Sequence, residues 1–315
     1  MKDLLKKLLS GVILLVCAAC GKKETTKTRL LLDWWPNPNH VCLYVGIEKG
    51  IFAKHGLDLE ILSLQDPPNA ISYLATNQTD LAIYYGPLTL RAKARGHYVS
   101  VAGQLFDQPL QGLLGRADSG IEKISDFNGK SIGVFPGDLM DTYKDTMEKK
   151  GNFKFSNSRI VQFDVATALY AKTIDIISGV FWNIEPVQLS ANGVETKTFK
   201  MDEIGLPSYP ELLVLAGQTF QEEHPDKVRA FKEALHEANH YCIANPQKAF
   251  EIYLAANTDK TAMTIGWERK AWELTHPVLA RDQNLNLKEL KGFHDWLLES
   301  KIISDAIDLD TLQAR

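Results

Sequence analysis

Side chains suited to ligand capture gather at four places in this 315-residue chain, and each place reads as the end of a strand. The first is LLDWWPNPNH, residues 31–40, where an acid and two tryptophans precede two prolines, two asparagines and a histidine. The others are Tyr84-Tyr85-Gly86-Pro87, Phe135-Pro136-Gly137-Asp138 and Phe181-Trp182-Asn183-Ile184-Glu185-Pro186. Flat aromatic faces beside an acid and an amide suit a planar, uncharged or weakly basic heterocycle, stacked between rings and fixed at its edge by hydrogen bonds. Asp33 or Glu185 would accept from an exocyclic amine and share a proton with a ring nitrogen. Each residue also has a structural reading. Trp34 or Trp35 fits a core at a strand end, Asp33 can tie down backbone amides, and Asn39 is a natural cap with His40 bonding at the helix start. Glu185 suits the first turn of the helix it opens. Tyr84 and Tyr85 point to opposite faces if the strand persists, so only one of them lines a cleft. Gly137 could offer backbone amides to a phosphate, but Asp138 would compete with that anion, which argues against a phosphorylated ligand. The sequence contains no Walker pattern, and no catalytic residue, metal ligand or cofactor is assigned.

The elements that must position these residues alternate. Residues 29–33 read as a strand, 40–49 as a helix stopped by Gly50, 57–64 as a half-buried strand, 69–76 as a helix and 80–84 as a strand. A helix over 88–94 and a strand over 98–102 follow. A second series runs strand 131–135, helix 139–149, strand 159–163, helix 166–172, strand 174–180 and helix 184–191. This βαβ rhythm predicts α/β architecture with mainly parallel sheets flanked by helices, and two series predict two lobes. After an apolar strand at 211–216 the chain turns helical to its end, with Val228, Phe231, Ala234 and Leu235 on one face. The expected division is 29–113 plus 208–315 for lobe 1 and 114–207 for lobe 2. Open sheets of this kind bind ligands beyond the carboxyl ends of their strands, where the four marked segments lie.

Composition limits the partners. With 45% hydrophobic and 23% charged residues and a net charge of -4, the chain is globular and carries no electrostatic case for nucleic acid. Residues 1–20, MKDLLKKLLSGVILLVCAAC, read as an export signal. The ending Cys17-Ala18-Ala19-Cys20 resembles the bacterial lipoprotein box, with Cys17 where leucine is usual, so Cys20 is the expected lipidation site and anchors the chain to a membrane. Polar, lysine-rich residues 21–28 suit a tether. Of four cysteines, Cys42 and Cys242 would then remain; their separation fits no metal spacing, and no disulfide follows from sequence.

The run DWWPNPNHVCLYVGIEKGIFAKHGLDLEI, residues 33–61, resembles the thiamine-precursor-binding branch of the periplasmic binding proteins. That signature is written loosely as D-W-x-P-N-x-N-H-x-G-L-Y-x-A, followed by K-G-(Y/F)-F and G-L-D. ATNQTDLAIYYGP and FWNIEPVQLSANG resemble later segments of the same branch. Two departures stand out: Cys42 occupies a position where glycine is common, and Phe135-Pro136-Gly137-Asp138 replaces a small, glycine-rich turn. The resemblance implies a two-lobed, type II-like solute-binding protein that closes over a pyrimidine precursor of thiamine, hydroxymethylated or formylaminomethylated, and passes it to an ABC transporter permease outside the cytoplasm. It implies one wall from Asp33, Trp34, Asn39, His40 and Tyr44, completed by Tyr84 or Tyr85, with Trp182 and Glu185 opposite. Trp34 or Tyr84 would stack on the ring and Glu185 would bind its amine. A rival within the binding class is a receptor for riboflavin, a sulfonate or another small heterocycle. A rival enzyme is also in view: related pyrimidine synthases resemble this chain and make the precursor from bound pyridoxal phosphate and a histidine of their own chain, and His40 lies in the shared motif. Their C-C-C-F-C iron-binding run does not occur in this sequence.

Overall fold

The computed structural model describes residues 27–63, 69–134, 140–161 and 165–314. The signal with Cys20, the tether through residue 26 and the Phe135–Asp138 turn lie outside the described residues. Two five-stranded sheets form the frame. In the first, β1 (Thr28–Leu31) lies between β2 (Leu59–Leu62) and β3 (Leu81–Tyr85), parallel to both. β4 (Val101–Phe106) forms one edge, and β10 (Leu212–Ala216) inserts antiparallel between β3 and β4. In the second, β6 (Ser131–Val134) lies between β7 (Asn157–Ile160) and β8 (Ile176–Phe181), again in parallel. β5 (Gln111–Arg116) inserts antiparallel between β8 and the edge strand β9 (Thr196–Lys200).

The orders β2-β1-β3-β10-β4 and β7-β6-β8-β5-β9 are therefore the same plan built twice. Each half receives one reversed strand, β5 or β10, directly after the chain crosses from the other half. The α/β organisation expected from the sequence is present, and each sheet is mixed because of that reversed strand. Sequence reading missed β5 and β9. Gln111-Gly112-Leu113-Leu114-Gly115-Arg116 has no period of two, and β9 is a largely polar edge, so cross-strand pairing makes them strands.

Helices cover the sheets: α1 (Val41–Glu48), α2 (Ile51–Lys54), α3 (Ala70–Ala75) and α4 (Gly86–Ala94) in the first half. The second half carries α5 (Met140–Gly151), α6 (Val165–Tyr170) and α7 (Glu185–Ala191). The chain then returns to the first sheet and adds α8 (Gln218–Glu223), α9 (Pro225–Ala244), α10 (Pro246–Ala256), α11 (Ala262–Thr275) and α12 (Leu287–Glu299). Val228, Phe231, Ala234 and Leu235 of α9 are all buried, as a helical stripe at this spacing requires. No helix among the described residues is long and apolar enough to cross a membrane.

The halves are joined at the crossings 107–110 and 201–211. Glu211, fully buried, accepts hydrogen bonds from the backbone N–H groups of Leu110 at 2.9 Å and Gln111 at 3.1 Å, so one carboxylate ties the two crossings together. α12 reinforces the junction: Phe293 meets Tyr209 of the return crossing at 4.6 Å, and Trp296 meets Tyr143 of α5 at 5.4 Å. α7 of the second half packs against α11, bringing the halves together on a further side.

Candidate functional site

The turn after β1 is held by its own polar groups. The Asn37 side chain accepts from the Asn39 N–H at 2.9 Å, Pro38 pre-sets the first helical position, and the His40 N–H donates to the Asn37 carbonyl at 2.9 Å. The Asn37 N–H in turn donates to His40 Nδ1 at 3.3 Å. A ring nitrogen that accepts carries no proton, so the other nitrogen, Nε2, donates to Asp33 Oδ1 at 2.9 Å. His40 is fully buried with both nitrogens engaged, and Asp33 is 6% exposed. His40 thus orients Asp33 and presents no free nitrogen of its own.

Asp33 leads to the end of β3. Tyr85, the last residue of that strand, hydrogen-bonds Asp33; burial first, and then the Asp33 carboxylate, hold its phenol well above the usual range. Tyr85 therefore keeps its proton and donates it to Asp33. From the second half comes the end of β8, where the Phe181 ring lies 6.2 Å from that of Tyr85 at 55°. The Phe181 N–H donates to Glu185 Oε2 at 2.7 Å. That bond favours the ionised carboxyl, but burial outweighs it and pushes Glu185 up to about 7. Asp33, Glu185 and Glu211 all act electrostatically on the one Tyr85 hydroxyl, so three acids from three chain segments converge there.

The turn after β8 carries the remaining bridges. Asn183, fully buried, donates to Asn39 Oδ1 and to Thr275 Oγ1, both at 2.8 Å, and so joins the first turn, the second half and the end of α11. The side-chain amide nitrogen of Asn39 and the side-chain carbonyl oxygen of Asn183 are buried without a protein partner. Buried amides left half-satisfied are costly in an apolar core and are expected where a polar ligand or water completes them. Trp182 donates through its indole N–H to the Pro109 carbonyl at 3.1 Å, and Lys200 Nζ stands 4.0 Å over its ring. It thus couples the turn to the crossing between halves.

The other expected residues are placed as follows. Trp34 is partly buried and edge-on to the more exposed Trp35, with centroids 4.8 Å apart. Tyr44 stands edge-on to Tyr253 at 5.5 Å, with Asn257 and Asp259 near its hydroxyl, and burial pushes its phenol up to about 12. Tyr84 packs on the face of its sheet opposite Tyr85, under the influence of Arg91 and Arg95. The structure thus brings Asp33, Asn39, His40, Tyr85, Trp182 and Glu185 to one junction, while Tyr44 and Tyr84 are engaged with other partners. Sequence reasoning marked the segment that holds Phe181 and Asn183 without giving either a role, and it missed Glu211 and Thr275. Glu211 carried a signal, a lone acid directly before the wholly apolar strand Leu212–Ala216. A separate groove of about 660 Å³ between α7 and α11, lined by residues including Val187, Glu195, Trp267 and Lys270, shares none of these side chains.

Residues 37–249, more than half of the chain, match the family described as NMT1/THI5 like. The formylaminopyrimidine-binding protein of Halalkalibacterium halodurans is 26% identical over 293 residues, 88% of each chain. The 4-amino-5-hydroxymethyl-2-methylpyrimidine phosphate synthase THI11 of Saccharomyces cerevisiae is 29% identical over 245 residues, 73% of this chain and 71% of that one. Among solved structures, the periplasmic aliphatic sulphonate binding protein SsuA from Escherichia coli matches with a TM-score of 0.66 over 92% of both chains, at 11% identity. At that identity the likeness is one of fold, the two-sheet α/β fold of periplasmic binding proteins.

Proposed function

The chain belongs to the NMT1/THI5-like family, and on that premise we propose that it is a solute-binding protein for an aminopyrimidine precursor of thiamine. In this reading it is exported, lipidated at Cys20 and delivers its ligand to the permease of an ABC importer. The observation that carries the reading is the meeting of Asp33 and Tyr85 from one half with Phe181 and Glu185 from the other. A 4-aminopyrimidine edge offers an amine donor beside a ring nitrogen. A carboxyl that titrates near 7 can accept from the amine and donate to, or share a proton with, that nitrogen. A sulfonate or other anion would meet a convergence of acids here, which disfavours that class. Trp34, Asn39 and Trp182 are assigned to the rim and edge of the same site, with His40 in support of Asp33. Ligand contacts made in both halves favour the closed arrangement over the open one, so binding shifts the population of the two.

The relative named a synthase supports a second reading, an enzyme that consumes its own histidine. The double engagement of His40 by Asn37 and Asp33 favours the binding role, as does the absence of a C-C-C-F-C run from the sequence. Mass spectrometry of small molecules retained through native purification tests the proposal, paired with thermal shift against 4-amino-5-hydroxymethyl-2-methylpyrimidine, its formylaminomethyl analogue and an alkanesulfonate. A rise in Tm with the pyrimidines alone is expected. Stabilisation by the sulfonate alone would overturn the ligand assignment. Pyrimidine formed from pyridoxal phosphate with loss of the His40 side chain would establish the enzyme.

A further inference from the structure

Two cysteines separated by most of the chain meet in the core of the first half. Cys42 lies in the first turn of α1 and Cys242 near the end of α9, and both are 0% exposed. The two helices pack directly, and α2, which follows α1, extends the interface. Phe52 stacks on Phe231 with centroids 5.6 Å apart at 18°, Lys54 and His55 reach Glu237 at 2.8 and 3.1 Å, and Lys49 stands 5.4 Å over the Tyr241 ring. These contacts fix the register that sets the Cys242 thiol beside that of Cys42 in the buried interface of the two helices. Val41, Val45, Leu235 and Ala238 belong to the same apolar cluster, so both sulfurs are shut away from water once the half has folded.

We propose that Cys42 and Cys242 are a disulfide-forming pair that staples α1 to α9 when the chain folds under oxidising conditions. The oxidant is a small-molecule or protein disulfide. One cysteine, as its thiolate, attacks it and releases a first thiol; the other then displaces the second thiol from the mixed disulfide. The pair loses two electrons and two protons, and the oxidant leaves as two thiols. Burial sets the timing: exchange takes place while the helices are docking, and the finished bond is then shielded from reductant. Closing so long a loop removes much of the entropy of the unfolded chain. The proposal does not depend on the ligand reading.

The test uses the full chain carrying Cys17→Ser and Cys20→Ser, so that only the two core cysteines remain. It is refolded from denaturant either in a mixture of oxidised and reduced glutathione or in excess reductant, then unfolded, alkylated and mapped by mass. Oxidative refolding is expected to give an alkylation-resistant peptide joining Cys42 to Cys242, and a Tm higher than that of the reduced form by about 4 °C or more. Cys242→Ala should remove the difference in Tm between the two conditions. Complete alkylation of both thiols after oxidative refolding, or cross-links only between molecules, would overturn the pairing.

Discussion

The ends of β3 and β8 occupy equivalent places in two sheets of the same strand order, yet they are built differently. After Tyr85 the helix α4 begins at once, at Gly86. A side chain there would run into the Pro210 carbonyl, and the Gly86 N–H already donates to the Glu211 carbonyl at 2.9 Å. The end of β3 is therefore pressed against the returning chain, and its neighbour Asp33 is locked by His40. After Phe181 the turn Trp182-Asn183-Ile184 intervenes before α7, and its Trp182 indole N–H and Asn183 amide nitrogen reach to other parts of the molecule. One strand end is fixed by close packing. The other carries groups whose protonation and pairing can answer to a ligand, and Glu185 is the clearest of them.

That contrast can be broken by substitution. The largest effect is expected for His40→Ala, which removes one hydrogen-bond partner from the buried Asp33 and should cost about 3 kcal/mol by urea unfolding. Glu185→Gln should cost little by the same measure at pH 6. A stability loss for Glu185→Gln as large as that for His40→Ala would end the distinction between the two strand ends.

Changing pH sharpens it. Glu185 has a folded value of about 7 against 4.5 in the unfolded chain, so the folded state binds more protons between these limits. Its neutral form is accommodated fully below pH 4.5, and stability is lost as pH rises from there to about 7, by on the order of 3 kcal/mol. Glu185→Gln should therefore unfold at a higher temperature than the parent at pH 8 and match it near pH 4.5. Affinity for the aminopyrimidine carries the same signature. Above pH 7 the ionised carboxyl must take up a proton with the ligand, so Kd should weaken about tenfold per pH unit in the parent and stay flat in the variant, as titration calorimetry would record.

Gly86→Ala is expected to cost about 2 kcal/mol, because the obstructing atom is a backbone carbonyl that cannot swing aside. The smallest effect is that of Trp182→Phe, about 1 kcal/mol, from loss of the indole hydrogen bond to Pro109 with the ring retained. Both are measured by chemical denaturation, and a reversed order would mean that the β8 turn is the stiffer of the two.

Much of this architecture was legible before the fold was known. The parallel strands near 29–33, 80–84 and 131–135 announce themselves by apolar runs bounded by turn residues, and the stripe on α9 by its helical spacing. The segments Asp33–His40 and Phe181–Glu185 were legible as candidates because aromatics, acids and amides at strand ends are chemically conspicuous. The choice between Tyr84 and Tyr85 was not, since alternation along a strand gives opposite faces without saying which face the other half will cover. Nor was the edge-on contact of Tyr44 with Tyr253, or the bond of His40 to Asp33, because each depends on a partner brought in by packing.

By itself the sequence determined the α/β elements, the polar turn that Asn37 and Pro38 close, and which short segments bear chemistry. Those properties follow from hydrophobic period and local hydrogen bonding, which act over a few residues. Only the tertiary structure decided that Tyr85 faces Phe181, that Asn183 grips Asn39, and that Glu211 joins both crossings. The partners lie about a hundred residues apart or more, and desolvation, the force that raises Glu185 toward neutrality, exists only after the two halves have met.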